Sequence, residues 1–455
     1  MLRKLKSILQ LTTADYADIR YEVRTDTSIA YNCRELTGIG SNSCDGFVIR
    51  VLNQGGFATI AFTKPSDALK ALKQAEVNAL LASKHKEKPV RIGNPQINKG
   101  QFLPVLSIDP RTVSLEEKQA LTLKYNEIAL KHPKIVNTVV SYDEVVREKY
   151  FISSEGAEIR EDLVTTRIGG MITAKDGNLL QNVRVNTGGS TGFEILLGAE
   201  AAFEKKREIA VALLSAKPLK SGTYNVILNP SMSGVFTHEA FGHFSEADCI
   251  EGSPSMRAKM KLGSLLGSEI LNIKDNPTLR GALGYYRWDD EGVEARPAQL
   301  LKKGVLVGRL HSRRTAEEFG EPVSGHCVAE DYRFAPIIRM GTIFIEPGKD
   351  DLESMLSQLG DGLYILDAKG GQTNGENFTF GAQYGYLIKN GKIGEMIRDI
   401  NITGNLYQTM KNISAVGSDF ELTKSGGCGK GQTNIRSCYG GPHIIIRNVV
   451  VGGAA

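Results

Sequence analysis

The sequence predicts an α+β protein: an N-terminal α/β domain with antiparallel hairpins and long helices, followed by a strand-rich C-terminal domain that carries a candidate metal helix. Three observations lead there. The first half alternates runs rich in Val, Ile, Tyr and Phe with segments of helical periodicity. The 49 glycines crowd into the second half, where short apolar runs are separated by Gly turns. At 455 residues the chain is also too long for one compact core.

Residues 1–84 are expected to form a first α/β unit. It starts with an amphipathic helix over the first ten residues, followed by extended runs at Ile19–Arg24, Gly46–Leu52 and Ala58–Phe62. Ser66 is placed to cap a helix ending near Ser83, with Ala68, Leu72, Ala75 and Ala79 as its apolar stripe. Residues 85–216 form a second region. Lys84–Pro110 is charged, contains proline, lacks periodicity and reads as a connector. Ser114 and Glu117 have the spacing of a capping box for a helix that Pro133 stops. Strands at Ile135–Tyr142, Glu144–Ser153, Ala157–Gly169 and Gly170–Ala174 point to hairpins, and a helix over Phe193–Leu214 closes the region. Pro, Ser and Gly together at Lys217–Gly222 mark the junction to the third unit, 217–455. There a strand over Tyr224–Asn229 ends at Pro230, and Ser231 or Ser233 can cap a helical segment over Gly234–Ala247. Further strands are expected at Thr342–Pro347, Gly362–Ala368, Gly385–Lys389 and Ile444–Val451, with Asn390-Gly391 as a hairpin turn.

Composition excludes several classes of function. The net charge is +4 with both signs mixed, and the densest basic stretch, Lys84-His85-Lys86-Glu87-Lys88, contains an acid. With a single Trp as well, no nucleic-acid groove is indicated. No run reaches the roughly 18 apolar residues of a membrane span. The first residues lack the small-residue cleavage site of a secretory signal, so a cytoplasmic location is expected. Six cysteines in a chain of this length do not make a disulfide scaffold.

The segment Thr237-His238-Glu239-Ala240-Phe241-Gly242-His243 concentrates the chemistry. In a His-Glu-x-x-His zinc helix the imidazoles sit four apart and share a face. Here they are five apart, and on a regular helix five steps separate side chains by about 140°. The two can share an ion only if the helix is locally widened, and a single π-turn would bring them into line. A bulge or break at Ala240–His243 is therefore predicted, with Gly242 able to accommodate it. Two imidazoles are too few for a catalytic zinc, which takes three protein ligands and keeps one open position. A third must come from elsewhere in the chain.

This segment resembles the His-Glu-x-x-x-His signature of the TldD/PmbA family. Asp289-Asp290-Glu291-Gly292, Pro336-Ile337-Ile338-Arg339-Met340, Gly370-Gly371-Gln372 and Gly385 to Gly391 resemble further family strings, in the right order. So do Val416-Gly417-Ser418-Asp419 and Cys428-Gly429-Lys430-Gly431-Gln432. Val323 to Cys327 departs from the family's Arg-containing loop. The resemblance implies that Cys428 is the third ligand, beside His238 and His243, to a Zn2+ ion. Glycines around it would let the backbone come close to the metal. It implies a metallopeptidase that hydrolyses small or unfolded peptides with metal-activated water, Glu239 acting as general base. A thiolate ligand weakens the Lewis acid, so slow or selective turnover is expected. It also implies a dimer, either a homodimer or a heterodimer with a related subunit lacking the motif.

The sequence offers other candidates beside these. Cys438 is the alternative thiol. Glu246 and Asp248 could orient an imidazole from behind. Asp289, Asp290 and Glu291 could hold a second, harder ion, although a turn fits them better. Were the zinc purely structural, Cys249 or His326 would supply a fourth ligand. A different class of function, a non-catalytic peptide-binding or scaffold subunit, predicts a well-folded dimer without metal.

Overall fold

Strands of up to 19 residues build the first half into one seven-stranded sheet. The computed structural model describes residues 2–424 and 426–452. Strands β1 (Tyr16–Asn32), β2 (Glu35–Asn53), β3 (Gly56–Phe62), β4 (Lys99–Phe102), β5 (Ile135–Ser153), β6 (Glu158–Asp176) and β7 (Leu179–Gly189) lie in the order β3-β2-β1-β5-β6. Both β4 and β7 pair with β6, and only β4 runs parallel to its neighbour.

Alternation with a period of two gives this sheet two faces. Helices α1 (Leu2–Leu9) and α2 (Ala68–Ser83) cover Ala17, Ile19, Phe47, Ile49 and Val51 on one face. Further along the same face, α3 (Leu115–Leu130) and α4 (Glu200–Ala212) cover Val140, Tyr142, Ile168 and Ile172. The other face is charged, yet Arg20, Glu22, Arg50, Arg147, Lys149 and Glu161 on it are all buried. These side chains meet the second half of the chain. Arg147 binds Glu22 at 2.7 and 2.8 Å. Arg50 reaches Asp18 at 2.6 Å and Glu291 at 2.9 Å. Lys149 lies 3.2 Å from both Glu161 and Asp290. Asp289 accepts backbone N–H groups of Glu291, Val293 and Cys327, which makes its segment a turn. The carboxylates of Asp290 and Glu291 are thus engaged by basic side chains across the interface.

The second half begins with β8 (Lys217–Pro218) and β9 (Gly222–Leu228). Strand Gly362–Asn374 pairs with β9 and with Asn377–Lys389. Ile444–Gly452 pairs with the other edge of β9, and Ile400–Asn405 joins it to Asn377–Lys389, so five strands close on themselves. A smaller sheet includes the parallel pair Thr342–Ile345 and Cys438–Gly441. Between these layers lies helix α5 (Pro230–Phe236), packed in the largest apolar core with Val226, Phe378, Phe380, Ile343 and Ile444. Among the described residues no helix is long and apolar enough to cross a membrane.

Several local expectations hold in detail. Ser114 accepts from the Glu117 N–H at 3.1 Å while Glu117 accepts from the Ser114 N–H at 3.0 Å, the reciprocal capping box. Asn390 and Gly391 take φ of 50° and 70°, as a tight hairpin turn requires. Others change. A 3-10 turn at Pro65–Asp67 precedes α2, and no side chain caps that helix, Ser66 included. The strands expected to break near Asp143 and at Gly169-Gly170 run straight through as β5 and β6. Asp143 stays on the strand, paired with Ser28 of β1 on one side and Arg167 of β6 on the other. Gly170 is needed for space, since a Cβ there would stand 2.1 Å from the Val139 carbonyl oxygen. The helix expected over Phe193–Leu214 is interrupted, with Leu197 extended and Gly198 at φ 77° before α4 begins. Asn229, not Ser231 or Ser233, caps α5, its side chain accepting from Met232 N–H at 3.1 Å.

Candidate metal centre

Helix α5 runs directly into a π-helical turn, Thr237–Gly242. This is the widening that the five-residue spacing demanded. It brings the rings of His238 and His243 to 5.2 Å between centroids, at 83° to each other. Gly242 itself has ordinary helical backbone angles, so it supplies room and not unusual torsions. A Cβ at that position would lie 2.1 Å from Met340 Sδ and 3.1 Å from Ile343 Cδ1.

Cys428 arrives on a tight loop from the far end of the chain. Its N–H and C=O bond to the C=O and N–H of Ile435 at 3.0 and 3.1 Å. Gly427, just before it, sits at φ 107°, and a Cβ there would strike Asn434 Oδ1 at 2.1 Å. Only glycine fits that position without strain. Cys428 Sγ ends 3.6 Å from His243 Nε2. Ligand atoms of His238, His243 and Cys428 all fall within 4.8 Å of one another.

The Glu239 side chain points toward the same place. Its Oε2 is 3.9 Å from His243 Nε2. Thr373 donates to the Glu239 carbonyl at 2.6 Å, fixing the turn against strand Gly362–Asn374. On that strand, Gly371 leaves the space the Glu239 side chain uses, since a Cβ there would be 3.1 Å from Glu239 Cγ. Burial pushes the Glu239 carboxyl up, against the pull of His238 and His243. A raised carboxyl pKa suits a group that must accept a proton and give it back.

A charged shell holds the cluster. Glu246 is fully buried, with Oε2 3.3 Å from His243 Nδ1 and 2.9 Å from Lys430 Nζ. Asp248 does not approach an imidazole; it accepts from Lys430 at 2.8 and 2.9 Å. Lys430 thereby ties the Cys428 loop to the carboxylate behind His243. Glu246, Asp248 and Cys249 also lie close enough to resemble a metal site, but Lys430 occupies the position an ion would take. Arg339 is fully buried 3.5 Å from Glu246 Oε1, and its guanidinium nitrogens have no hydrogen-bond partner among the described residues.

These groups set the protonation of the candidate ligands. Burial opposes ionisation of Cys428, but His238, His243 and Arg339 outweigh it and draw the thiol down to about 5. Burial likewise opposes charging of His243, yet Cys428 and Glu246 raise it to about 9. A thiolate facing two imidazoles, with His238 Nδ1 buried and unpartnered among the described residues, is a donor set a soft divalent ion fits. Three donors of this kind would leave a fourth tetrahedral position open.

The remaining candidates fall elsewhere. Cys438 is buried and turns its sulfur toward the Thr423 carbonyl oxygen at 3.6 Å. His326 is buried against Asp275 at 3.0 Å. Arg339 and Lys430 lie within family-like motifs, but their roles around Glu246 carry no signal in spacing. Tyr439, whose ring lies 5.3 Å from that of His238, carries none either.

The chain matches the PmbA/TldA metallopeptidase signature in three parts: domain 1 over residues 17–79, the central domain over 108–216 and the C-terminal domain over 221–453. It therefore belongs to the PmbA/TldD metallopeptidase family. A metalloprotease of Synechocystis sp. is 35% identical over 97% of this chain and 96% of its own length. A zinc metalloprotease TldD homolog of Saccharolobus solfataricus is 31% identical over 97% of both chains. In fold, the chain is similar to a putative DNA gyrase modulator from Thermotoga maritima, with TM-score 0.81 and 21% identity over 99% of this chain and 100% of the other. TldE from Thermococcus kodakarensis gives TM-score 0.79 and 19% identity over 99% of both chains.

Proposed function

We propose that this chain is a zinc-dependent peptidase acting on small or unfolded peptides, with His238, His243 and Cys428 as the metal ligands and Glu239 as the general base. The observation that carries this reading is the π-helical turn, which brings two imidazoles five residues apart toward one thiol. A bound zinc ion would supply a water whose pKa falls from about 15.7 toward about 7. Glu239, its Oε2 3.9 Å from His243 Nε2, is placed to accept a proton there and would return it to the leaving amine. Glu246 holds His243 by Nδ1, leaving Nε2 directed at Cys428 and the metal position. Arg339 balances the thiolate from behind. We further propose that the chain acts in the cytoplasm as a homodimer, or as a heterodimer with a related subunit that lacks the motif. Its division into units 1–84, 85–216 and 217–455 belongs to the same reading.

Glu239→Gln tests it. Zinc content should stay at one per chain while peptide cleavage falls by about 10²–10⁴-fold, the usual contribution of a general base. Cleavage at the parent rate removes Glu239 from the mechanism, and a parent protein that folds and binds no zinc favours a scaffold subunit instead.

A further inference from the structure

A cavity of about 220 Å³ opens beside the Cys428 loop, between the charged face of the N-terminal sheet and the second half. Gly426 and Gly427 form part of its wall and lead directly into Cys428. Four arginines line it: Arg24, Arg147, Arg167 and Arg436. Three have carboxylate partners. Arg24 binds Asp26 at 2.7 Å, Arg147 binds Glu22 at 2.7 Å and Arg167 binds Asp143 at 3.1 Å. Besides Asp26 and Asp143, the wall carries a third acid, Glu330, which is used by the N–H groups of Thr433 and Asn434.

Arg436 differs. It donates to neutral acceptors only, Thr165 Oγ1 at 2.7 Å and the Tyr285 carbonyl at 3.1 Å. Among the described residues no carboxylate lies within ion-pair distance of it, and its Nε is buried without a partner. The hydroxyl of Ser437, next in sequence and on the same wall, is likewise fully buried with no partner among the described residues. Burial, reinforced by Arg147 and only partly offset by Glu161, pulls the Arg436 pKa down to about 10. Arg436 is half-buried on the cavity wall and forms no ion pair among the described residues. A carboxylate in the cavity would give its guanidinium a charged partner at close range.

We propose that this cavity is a carboxylate-binding subsite of the peptide-hydrolysing centre, in which Arg436 and Ser437 hold a carboxylate of the substrate. The inference rests on the peptidase reading above for the nature of the ligand. The wall supports it: Gly426 and Gly427, which lead directly into Cys428, line the cavity, so a carboxylate held there lies next to the loop that presents the thiol. The chemistry is shared by two sources, the C-terminal carboxylate of a peptide and the side chain of an internal Asp or Glu.

Calorimetric titration of the zinc-loaded Glu239→Gln protein separates them without turnover. The probes are one acetylated pentapeptide as free acid, the same peptide as C-terminal amide, and the amide with Glu at its penultimate position. The free acid should bind about tenfold more tightly than the amide, as one charge-assisted bond to a half-buried guanidinium warrants. Adding Arg436→Gln should erase that preference, and Arg436→Lys should keep part of it. Ser437→Asp, which gives the cavity its own carboxylate, should erase it with the arginine in place. If the Glu-bearing amide matches the free acid, the subsite stands and takes side-chain carboxylates. Equal binding of acid and amide to the parent, or a preference that survives Arg436→Gln or Ser437→Asp, overturns it. Should the wild-type protein cleave no peptide while the acid still binds in preference to the amide, the peptidase reading fails and the anion site remains.

Discussion

Replacing Glu246 with Gln should weaken metal binding and the fold together, and by amounts the geometry sets. The side chain is fully buried and its charge is shared by His243 at 3.3 Å, Lys430 at 2.9 Å and Arg339 at 3.5 Å. Glutamine keeps the shape and removes the charge. Arg339, also fully buried, then faces no carboxylate, and orphaning a buried partner costs about 3–5 kcal/mol. His243 keeps at most a neutral amide acceptor in place of the carboxylate that fixes its ring, and disturbing such a partner typically weakens metal affinity by about 10–100-fold. Asp248→Asn is the matched control. That side chain is 23% exposed and contacts Lys430, which Glu246 continues to hold, so a loss below about 1 kcal/mol and a small change in affinity are expected. Affinity is read by competition with a chromogenic chelator. Stability is read by thermal unfolding at saturating zinc, so that metal loss does not masquerade as a weaker fold. A Glu246→Gln protein that binds zinc within about twofold of wild type, or an Asp248→Asn protein equally impaired, refutes the reasoning drawn from this carboxylate.

Three further outcomes are expected. Gly242→Ala forces a methyl against Met340 and Ile343, both fully buried, and should cost about 1–3 kcal/mol, relieved in part by Met340→Ala in a double-mutant cycle on unfolding free energy. Cys428→Ser should lower zinc content well below one per chain with little change in circular dichroism, because the loop is held by the backbone bonds to Ile435 and not by the sulfur. Asp290 is held well below the ordinary carboxylate range: its burial is outweighed by Arg20, Lys149 and Arg147. Its stabilising contribution is therefore complete above the unfolded-state pKa of about 3.9 and drains away as the pH falls below it. The stability gap between wild type and Asp290→Asn should be wide at pH 7 and narrower at pH 3, and a gap of constant width contradicts the assignment.

What the sequence disclosed, and what it hid, follows from the range of the forces involved. Short-range rules were readable: the Ser114–Glu117 capping box, the Asn390-Gly391 turn, and the widened helix that two imidazoles five apart require. The approach of Cys428 to His243 spans 185 positions, and no periodicity carries that; the resemblance to a family pointed to it. Least legible was the charged face of the N-terminal sheet. Asp18, Arg20 and Glu22 alternate along β1 as a solvent-facing row would, yet all three are buried. Their partners, Arg50, Asp290 and Arg147, come from other strands and from the second half, so burial of that row can be known only once both halves are in place. The same holds for Arg339 and Lys430, whose meaning depends on Glu246 lying between them.

X-ray absorption at the zinc edge of the purified protein tests the central claim most directly. The account predicts one zinc per chain with a single sulfur near 2.3 Å and two imidazole nitrogens at about 2.0–2.1 Å, the sulfur signal vanishing in Cys428→Ser. A zinc environment without sulfur, or one unchanged by that substitution, would contradict it.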